Sequence, residues 1–422
     1  MGLFGPAAIS KEKDMKLDLE FVRSHFPAFS EATLRGWAFF ENAGGSYPCQ
    51  QVIDRLTSFY MKNKVQVNYP YPASMLAGRL MEDSYQRMAD YLNVEASEIH
   101  FGPSTTQNIY VLANAMRPMW ENGDEIIVSC QDHEANAGAW RRLADRGIKI
   151  VEWHVHREKG LLDLNELKQL FSKRTKMVAF PHCSNIIGDI NPVKEISRMA
   201  HEYGALSVVD GVGWAPHGFP DLKDLGADIY LFSLYKTFGP HLGLMYVNQS
   251  LVSKMQNQSH FFKEGISRSM LTPAGPDHAQ IAAASGILDY FDQVYKHHFE
   301  KKAGPALRNT ALNKLFREHE QALLERLLIF LRSRDDIRIV GAENSENRAP
   351  IISIIPLKKS LKKVYATLTE HKLMLGMGHF YAVRPLMDMD IKKEPGVLRI
   401  SFLHYTGMDD IDQLIEGLKK AL

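Results

Sequence analysis

The chain has 422 residues, of which 45% are hydrophobic and 23% are charged, a composition typical of a globular protein with more than one domain. Its 50 lysines and arginines nearly balance 49 acidic residues, and the net charge of +1 disfavours both a nucleic-acid-binding protein and a disordered chain. The three cysteines form no CxxC pair, which excludes a disulfide framework and a cysteine zinc site and fits a reducing cytoplasm.

The N-terminal residues do not form an export or anchoring signal. Their short apolar patch is broken by Gly5 and Pro6 and is followed by charged residues, so it is too short for a signal peptide. Pro6 also stands where a myristoylation motif has serine or threonine. Because no run approaches the roughly 18 apolar residues of a membrane span, we expect a soluble, cytoplasmic protein.

Strand patterns alternate with helical patterns between residues 95 and 250. The strands are predicted at EIIVSC (125–130), IKIVEW (148–153), KMVAFPH (176–182), ALSVVD (205–210), DIYLFSL (228–234) and GLMYVN (243–248). Between them, Leu162–Phe171 and Val193–Tyr203 carry apolar residues three and four apart, as amphipathic helices do. This alternation predicts an α/β fold, a three-layer sandwich in which helices cover both faces of a mostly parallel sheet. Ligands of such sheets bind at the carboxyl edge, so the residues after each strand are the functional candidates.

From about residue 300 the pattern changes to charged helices, which indicates a smaller α+β domain. Leu307–Arg334 predicts a long helix, and VLRISFLHY (397–405) predicts a strand. The last residues, MDDIDQLIEGLKKAL, predict an amphipathic helix with Asp409 or Asp410 as its N-terminal cap. The predicted divisions are an N-terminal segment (1–40) that packs on the small domain, a large domain (41–295) and the small C-terminal domain (296–422).

Two side chains of the segment 205–243 suit the same cofactor. One predicted strand ends at Asp210, and the next is followed by Lys236. A lysine forms a Schiff base with the aldehyde of pyridoxal 5′-phosphate, and a carboxylate keeps the pyridine nitrogen protonated so that the ring accepts electrons from Cα. An isolated pair of this kind is more often a helix cap and a solvated lysine, so other motifs must support the interpretation.

Five further motifs occur in the order in which the class V aminotransferase superfamily has them. They are FFENAGGSYP (39–48), FGPSTTQNIYVLA (101–113), DHEAN (132–136), PHCSNIIGDINP (181–192) and VLRISFLHY (397–405). Over about residues 38–420 the chain resembles the cysteine desulfurase-like branch of that superfamily. The resemblance implies the fold type I of pyridoxal-phosphate-dependent transferases, a homodimer and pyridoxal 5′-phosphate as cofactor.

The resemblance also implies roles for individual residues. The Thr105 amide and the Thr106 hydroxyl would bind the cofactor phosphate at a helix N-terminus, where the helix dipole favours an anion. His133 would stack on the pyridine ring and assist proton transfer. Asn185 would reach the phenolic oxygen or the substrate carboxylate, and Arg399 would bind that carboxylate with its planar fork. The remaining implied residues are Ser233 and Tyr235 at the cofactor and Asn42 and Gly44 at the substrate.

The chain departs from cysteine desulfurases at several of these positions. Tyr381 stands where their loop carries the cysteine that attacks the substrate sulfur, so persulfide chemistry by that route is not expected. Gly213 replaces a glutamine, and Tyr235 replaces the histidine before the lysine. Gly275 stands where a threonine would reach the partner subunit's phosphate, so a dimer is still expected, but without that hydroxyl.

Other residues near the predicted site have a functional and a structural interpretation. Cys130 and Cys183 lie near strand ends, but buried inert cysteines are the commoner case. His154 and His156 would share one face of a strand, but a zinc site needs a third ligand that the sequence does not offer, so no metal is predicted. Four aromatic residues would either line the pocket or pack ordinarily: Tyr69, Tyr71, Phe380 and Tyr381.

Together these features predict an enzyme for a small amino-acid substrate, with no nucleic-acid or membrane partner. Arg399 would hold the substrate carboxylate, and Lys236 would act as the base at Cα. The first hypothesis is a β-elimination of the C–S lyase type on a cysteine-derived or related amino acid. The alternatives are an aminotransferase or epimerase of a secondary-metabolite amino acid, and a catalytically silent binding protein, against which the intact Lys236 and Asp210 argue.

Overall fold

The computed structural model describes residues 15–422, and the N-terminal motif around Gly5 and Pro6 lies outside the described residues. Its strands are β1 (Ala38–Phe39), β2 (Ile99–Gly102), β3 (Glu125–Ser129), β4 (Lys149–Trp153), β5 (Thr175–Pro181), β6 (Leu206–Asp210), β7 (Ile229–Ser233), β8 (Gly243–Val247), β9 (Ile337–Val340), β10 (Ile351–Pro356), β11 (Leu373–Met374), β12 (Gly376–Gly378) and β13 (Val397–Ser401).

The α-helices follow the strands at the spacing of an α/β protein. They are α1 (Leu19–Ser24), α2 (Gln50–Lys62), α3 (Pro72–Leu92), α4 (Thr105–Met116), α5 (Ala135–Arg141), α6 (Leu164–Leu170), α7 (Val193–Glu202), α8 (Leu222–Leu225), α9 (Gln249–Val252), α10 (Ser267–Met270), α11 (His278–Ala284), α12 (Gly286–His298), α13 (Pro305–Arg332), α14 (Leu361–Glu370), α15 (Val383–Asp388) and α16 (Met408–Ala421). Among residues 15–422, none of these helices combines the length and the apolar character that crossing a membrane requires.

A seven-stranded sheet forms the centre of the larger part of the molecule. Its strand order is β2-β8-β7-β6-β5-β3-β4, and only β8 runs antiparallel to its neighbours. Successive side chains of a strand point to opposite faces, and in β5 Met177 and Ala179 join one apolar core while Val178 and Phe180 join the other. Both faces are therefore covered, and the predicted mostly parallel three-layer α/β fold is confirmed.

A second sheet of four antiparallel strands, in the order β12-β13-β10-β9, forms the smaller part. Helix α13 connects the two parts. Leu312 and Phe316, near its start, pack in the core of the large sheet, and Leu324 and Leu327, near its end, pack in the core of the small sheet. Strand β1, although early in the chain, pairs in parallel with β11 of the smaller part.

Three local predictions differ from the structure. The pattern 397–405 forms a strand only to Ser401. Neither Asp409 nor Asp410 is the N-cap of α16: the cap is Gly407, and Asp410, in the first turn, accepts the Gly407 N–H at 2.8 Å. The reason is that a carboxylate three residues into a helix can reach back to the free amide at the cap.

Candidate active site

The strands of the large sheet bring most of the predicted site residues to one cavity. Asp210 ends β6 and is paired in register with Leu231 of the neighbouring β7, so the residues after β7 lie beside it. The predicted residues that line this cavity are Thr105, Thr106, His133, Asn185, Asp210, Ser233, Tyr235 and Lys236. Because parallel strands end at the same edge, side chains far apart in the sequence meet there.

Lys236 lies in a short turn (Leu234–Lys236) that follows β7, and its side chain is buried. Burial lowers the pKa of Lys236 to about 8, and the positive charge of Arg399 acts in the same direction. A larger fraction of the amine is therefore neutral near physiological pH than for an exposed lysine. A neutral amine is the form that attacks an aldehyde or accepts a proton.

Two buried carboxyl groups line the same cavity. Asp210 Oδ1 accepts the Val212 N–H at 2.8 Å, and burial raises the pKa of Asp210. Asp132 Oδ2 accepts an Asn136 amide hydrogen at 2.8 Å, whereas its Oδ1 has no partner among the described residues. Burial and the charge of Asp210 raise the pKa of Asp132, so one of the two carboxyls holds a proton more readily. The sequence analysis missed Asp132, although it directly precedes His133 in the quoted DHEAN motif.

His133 follows β3 and lines the cavity as a neutral imidazole. Its Nδ1 accepts the Ala135 N–H at 3.0 Å, which leaves the Nε2 side to carry the proton. Burial lowers the pKa of His133 to about 3, and the charges of Lys236 and Arg399 act in the same direction. A neutral flat ring at this position suits stacking on another ring.

One end of the cavity is built to bind an anion. Ser104 caps α4 by accepting the Gln107 N–H at 3.2 Å, and Thr105 and Thr106 form the first turn. The Thr105 hydroxyl shares a hydrogen bond of 2.7 Å with the Ser233 hydroxyl. A side chain at Gly243 would lie 2.5 Å from the Thr105 nitrogen, so only glycine lets β8 approach the helix start so closely. Free amides and hydroxyls at a helix N-terminus favour a phosphate.

Tyr235 and His241 border this end of the cavity. Their rings are stacked with centroids 4.6 Å apart and an angle of 7° between the planes. Tyr235 is the residue predicted from the resemblance, whereas the sequence analysis gave no attention to His241, which lines the cavity as well. The turn that carries Tyr235 is held by Ser46, whose N–H donates to the Tyr235 carbonyl at 3.1 Å.

Asn185 and Arg399 lie together at the opposite side. The Asn185 side chain lines the cavity, and its carbonyl accepts a hydrogen bond from Arg399 Nη1 at 3.1 Å. Arg399 is only 3% exposed and sits behind Asn185, close enough for its charge to lower the pKa values of Lys236 and His133. Its other partner is Glu41 Oε1, 2.5 Å from Nη2, a residue that the sequence analysis missed between Phe40 and Asn42.

The structure does not bring Asn42 and Gly44 to the cavity lining. The Asn42 amide is buried and already used: its nitrogen donates to the carbonyls of Phe39 and Ser401, and its oxygen accepts from the Tyr405 hydroxyl. Gly44 lies against the Glu41 carboxylate. Both residues therefore shape the backbone and the neighbours of Arg399, which corrects the expectation that they face the substrate.

Neither of the cysteines considered above offers a thiolate. Cys183 lines the cavity, but it donates to the Gly188 carbonyl at 3.4 Å, and burial raises the pKa of its thiol. Cys130 lies outside the lining beside Arg141, and burial raises its pKa to about 12. A thiol that keeps its proton is a poor nucleophile.

A loop from the smaller part of the molecule covers the cavity. The Phe380 carbonyl accepts from Asn185 Nδ2 at 3.0 Å, and the Tyr381 ring lies 5.5 Å from that of His133. Phe380 and Tyr381 have φ values of 49° and 57°, a region that bulky side chains seldom adopt and that is found mostly at functional sites. Tyr69 and Tyr71 instead stack on each other at the surface, away from the cavity.

The histidines of the HVH segment lie just after β4 rather than within it. His154 Nδ1 contacts Asp388 at 3.0 Å, and ligand atoms of Cys130 and Glu152 lie within 4.8 Å of it and of one another. However, Arg141 donates to both Glu152 and Cys130, so a cation there would meet a guanidinium group. The cluster is an ion-pair network between large and small parts.

The residues present fit pyridoxal 5′-phosphate. The cavity combines an amine of lowered pKa, a carboxylate on the adjacent strand, a neutral imidazole and an anion-binding helix start. The Asp132 and Asn185 Oδ1 atoms are buried in its lining without partners among the described residues, which is expected where a polar ligand supplies them.

Comparisons with known proteins agree with this chemistry. The family model described as aminotransferase class-V matches residues 38–266 and 307–414. The aminotransferase-like protein FGM3 of Gibberella zeae is 32% identical over 415 residues, which cover 96% of this chain and 98% of that protein. The cysteine desulfurase-like protein ustD of Aspergillus flavus is 30% identical over 426 residues, covering 96% and 91%. The solved structure of the cysteine desulfurase CsdA from Escherichia coli has the same fold, with a TM-score of 0.81 at 22% identity and coverage of 96% and 98%.

Proposed function

Since this chain belongs to the aminotransferase class-V family and is a pyridoxal-phosphate-dependent enzyme of the cysteine desulfurase-like type, we propose that it catalyses a β-elimination. The proposed substrate is a cysteine-derived or related amino acid, and the reaction is of the C–S lyase type. The observation that carries the proposal is that the cavity keeps Lys236 and Asp210 but offers no ionised thiol. Carbanion chemistry is thereby retained, while transfer of sulfur to a cysteine of the loop is not.

The residues of the chain divide the work as follows. The α4 N-terminus binds the phosphate, and Asp210 holds a proton at the pyridine nitrogen. When bound, the cofactor withdraws electrons from the substrate Cα. Arg399 orients the substrate through its carboxylate, and the neutral Nζ of Lys236 accepts the Cα proton. The loop with Phe380 and Tyr381 covers the cavity and excludes water from it.

An aminotransferase is the second candidate. FGM3, at 32% identity, carries the name aminotransferase-like. The same residues serve this reaction if the proton returns to the cofactor carbon rather than a β-substituent leaving. The two reactions differ in their products, which makes them separable by assay.

The experiment that tests the enzyme is borohydride reduction followed by peptide mass spectrometry. We expect purified protein saturated with pyridoxal 5′-phosphate to be yellow, to lose its visible absorbance on reduction, and to carry the modification on Lys236. The Lys236→Ala variant should stay colourless and lose at least about 10³-fold in activity. Lys223→Ala, which removes an exposed lysine of α8, is the matched control and should behave as wild type. Reduction that labels another lysine would contradict the proposal.

Product analysis then separates the reactions. With cysteine conjugates, β-elimination predicts pyruvate and ammonia without a second substrate. An aminotransferase predicts accumulation of a keto acid only when an acceptor keto acid is present. If neither forms and solvent deuterium enters Cα, epimerisation replaces both candidates.

We also propose that the protein is a homodimer in a reducing, cytoplasmic environment. A groove between residues 64–68 and the segment 263–278 is flanked by exposed apolar side chains on both segments. Those side chains are Tyr60, Met61, Tyr69, Tyr71, Phe261, Phe262 and Ile266. Clusters of this kind support burial by a second copy. The three cysteines are unpaired and buried, which supports the reducing environment.

A further inference from the structure

Arg399 is surrounded by groups from three separate segments. Its Nη2 lies 2.5 Å from Glu41 Oε1, its Nη1 donates to the Asn185 carbonyl at 3.1 Å, and its guanidinium carbon lies 3.8 Å above the Phe380 ring. With only 3% of the residue exposed, the positive charge needs a negative partner inside the protein. Glu41 is the carboxylate that supplies it.

Glu41 contacts Arg399 through one oxygen only, and two glycines leave room for this arrangement. A Cβ atom at Gly44 would lie 1.9 Å from Glu41 Oε2. A Cβ atom at Gly376 would lie 2.7 Å from Glu41 Oε1 and 2.6 Å from the Phe380 ring. Any larger residue at either position would therefore push the carboxylate away from the arginine.

The guanidinium still has donors to offer. Its Nε is buried without a hydrogen-bond partner among the described residues. An arginine binds a carboxylate best through two parallel hydrogen bonds, whereas Glu41 makes a single contact. A free carboxylate that engages Nε and Nη2 together would therefore outcompete the single contact of Glu41.

We propose that Glu41 is a specificity-determining residue: it occupies the place at Arg399 that a substrate carboxylate takes, and the substrate binds by displacing it. This inference rests on the proposed function, in which Arg399 receives an amino-acid carboxylate. A tethered competitor acts as a local carboxylate at about millimolar effective concentration, so it sets a threshold for weakly bound carboxylates. A ligand with a neutral carbonyl in place of the carboxylate accepts from Arg399 without competing as an anion.

The ratio of two probe affinities tests the proposal. The holoenzyme is titrated with L-alanine and with L-alaninamide, and each dissociation constant is taken from the change in the visible absorbance of the bound cofactor. Glu41→Gln keeps the shape and removes the charge. We expect it to bind L-alanine about tenfold more tightly relative to L-alaninamide than wild type does.

Two further variants complete the design. Glu41→Asp draws the carboxylate back by one methylene, so its ratio should shift in the same direction as that of Glu41→Gln. Glu370→Gln, which removes an exposed glutamate of α14, should leave the ratio unchanged. Because a merely structural role would alter both affinities in parallel, only competition for Arg399 changes their ratio.

The outcomes separate this inference from the proposed function. An unchanged ratio in both Glu41 variants, or weaker binding of L-alanine alone, would overturn the role of Glu41 while the enzyme still reacts with amino acids. Wild-type holoenzyme whose absorbance responds to neither amine would contradict the proposed function itself, and the role of Glu41 with it.

Discussion

Lys236 and Arg399 influence each other's charge because both are buried at the same cavity. Lys236 cannot be fully solvated, and Arg399 contributes a fixed positive charge nearby, so the protonated amine is disfavoured twice. Glu41 and Asp210 act in the opposite direction with their negative charges. The balance leaves an amine that loses its proton near pH 8 rather than near the ordinary value of about 10.4.

The first prediction is therefore a pH profile for cofactor capture. Only the neutral amine attacks the aldehyde, so the rate at which cofactor-free protein gains the visible absorbance should rise with pH through a midpoint of about 8. Arg399→Gln removes a positive charge and should move this midpoint upward, as stopped-flow absorbance at a series of pH values would show. Arg384→Gln, at a half-exposed arginine of α15, is the control. A wild-type midpoint near that of a free lysine would contradict the burial argument.

At the scale of elements, the first turn of α16 joins three parts of the chain. Asp410 accepts the Gly407 N–H at 2.8 Å and also pairs with Arg23 of α1. Arg23 Nε donates to the Tyr405 carbonyl at 2.9 Å, just beyond β13. One carboxylate thus closes a helix and holds α1 against it.

We predict that Asp410→Ala loosens this turn. Loss of a helix-capping interaction costs about 1–2 kcal/mol, so hydrogen exchange of the amides in the first turn of α16 should accelerate about five- to thirtyfold. Asp409→Ala is the matched control, because the Asp409 carboxylate is 72% exposed and lies 3.5 Å from Arg23. Equal effects in the two variants would show that Asp410 has no special part in the cap.

At the scale of the whole molecule, the apolar side chains beside the groove between residues 64–68 and 263–278 predict self-association. We expect sedimentation to give twice the chain mass, and Tyr69→Asp to shift the protein toward the monomer because a charge would be buried in the interface. Leu307→Asp replaces an equally prominent exposed residue of α13 away from the groove and should leave the mass unchanged. A wild-type monomer at micromolar concentration would rule out the homodimer.

The sequence predicts the large sheet well because of how that sheet is buried. Strands covered on both faces are continuous apolar runs, so each of the six predicted strands appears within two residues of its expected limits. Strand β2 was missed because it is short and contains His100 and Gly102, which interrupt the apolar pattern.

The site was predicted through motifs, and its limits have a physical cause as well. The motifs name residues that lie at strand ends, and most of those residues share one cavity, although their roles stay predictions. The Glu41–Arg399 pair was beyond reach because its members are 358 residues apart and meet only through the packing of β13. Asp132 was missed because its importance depends on the nearby charge of Asp210, which no local pattern reveals.

The parallel pairing of Ala38 with Leu373 has a consequence for biosynthesis. A ribosome releases β1 early, but the strand that accepts it emerges only after the entire large sheet has been translated. The nascent chain must therefore keep an apolar N-terminal segment waiting while the rest of the large part assembles around it. Completion of the tertiary structure is thus postponed until shortly before termination, whatever the speed at which the large sheet forms.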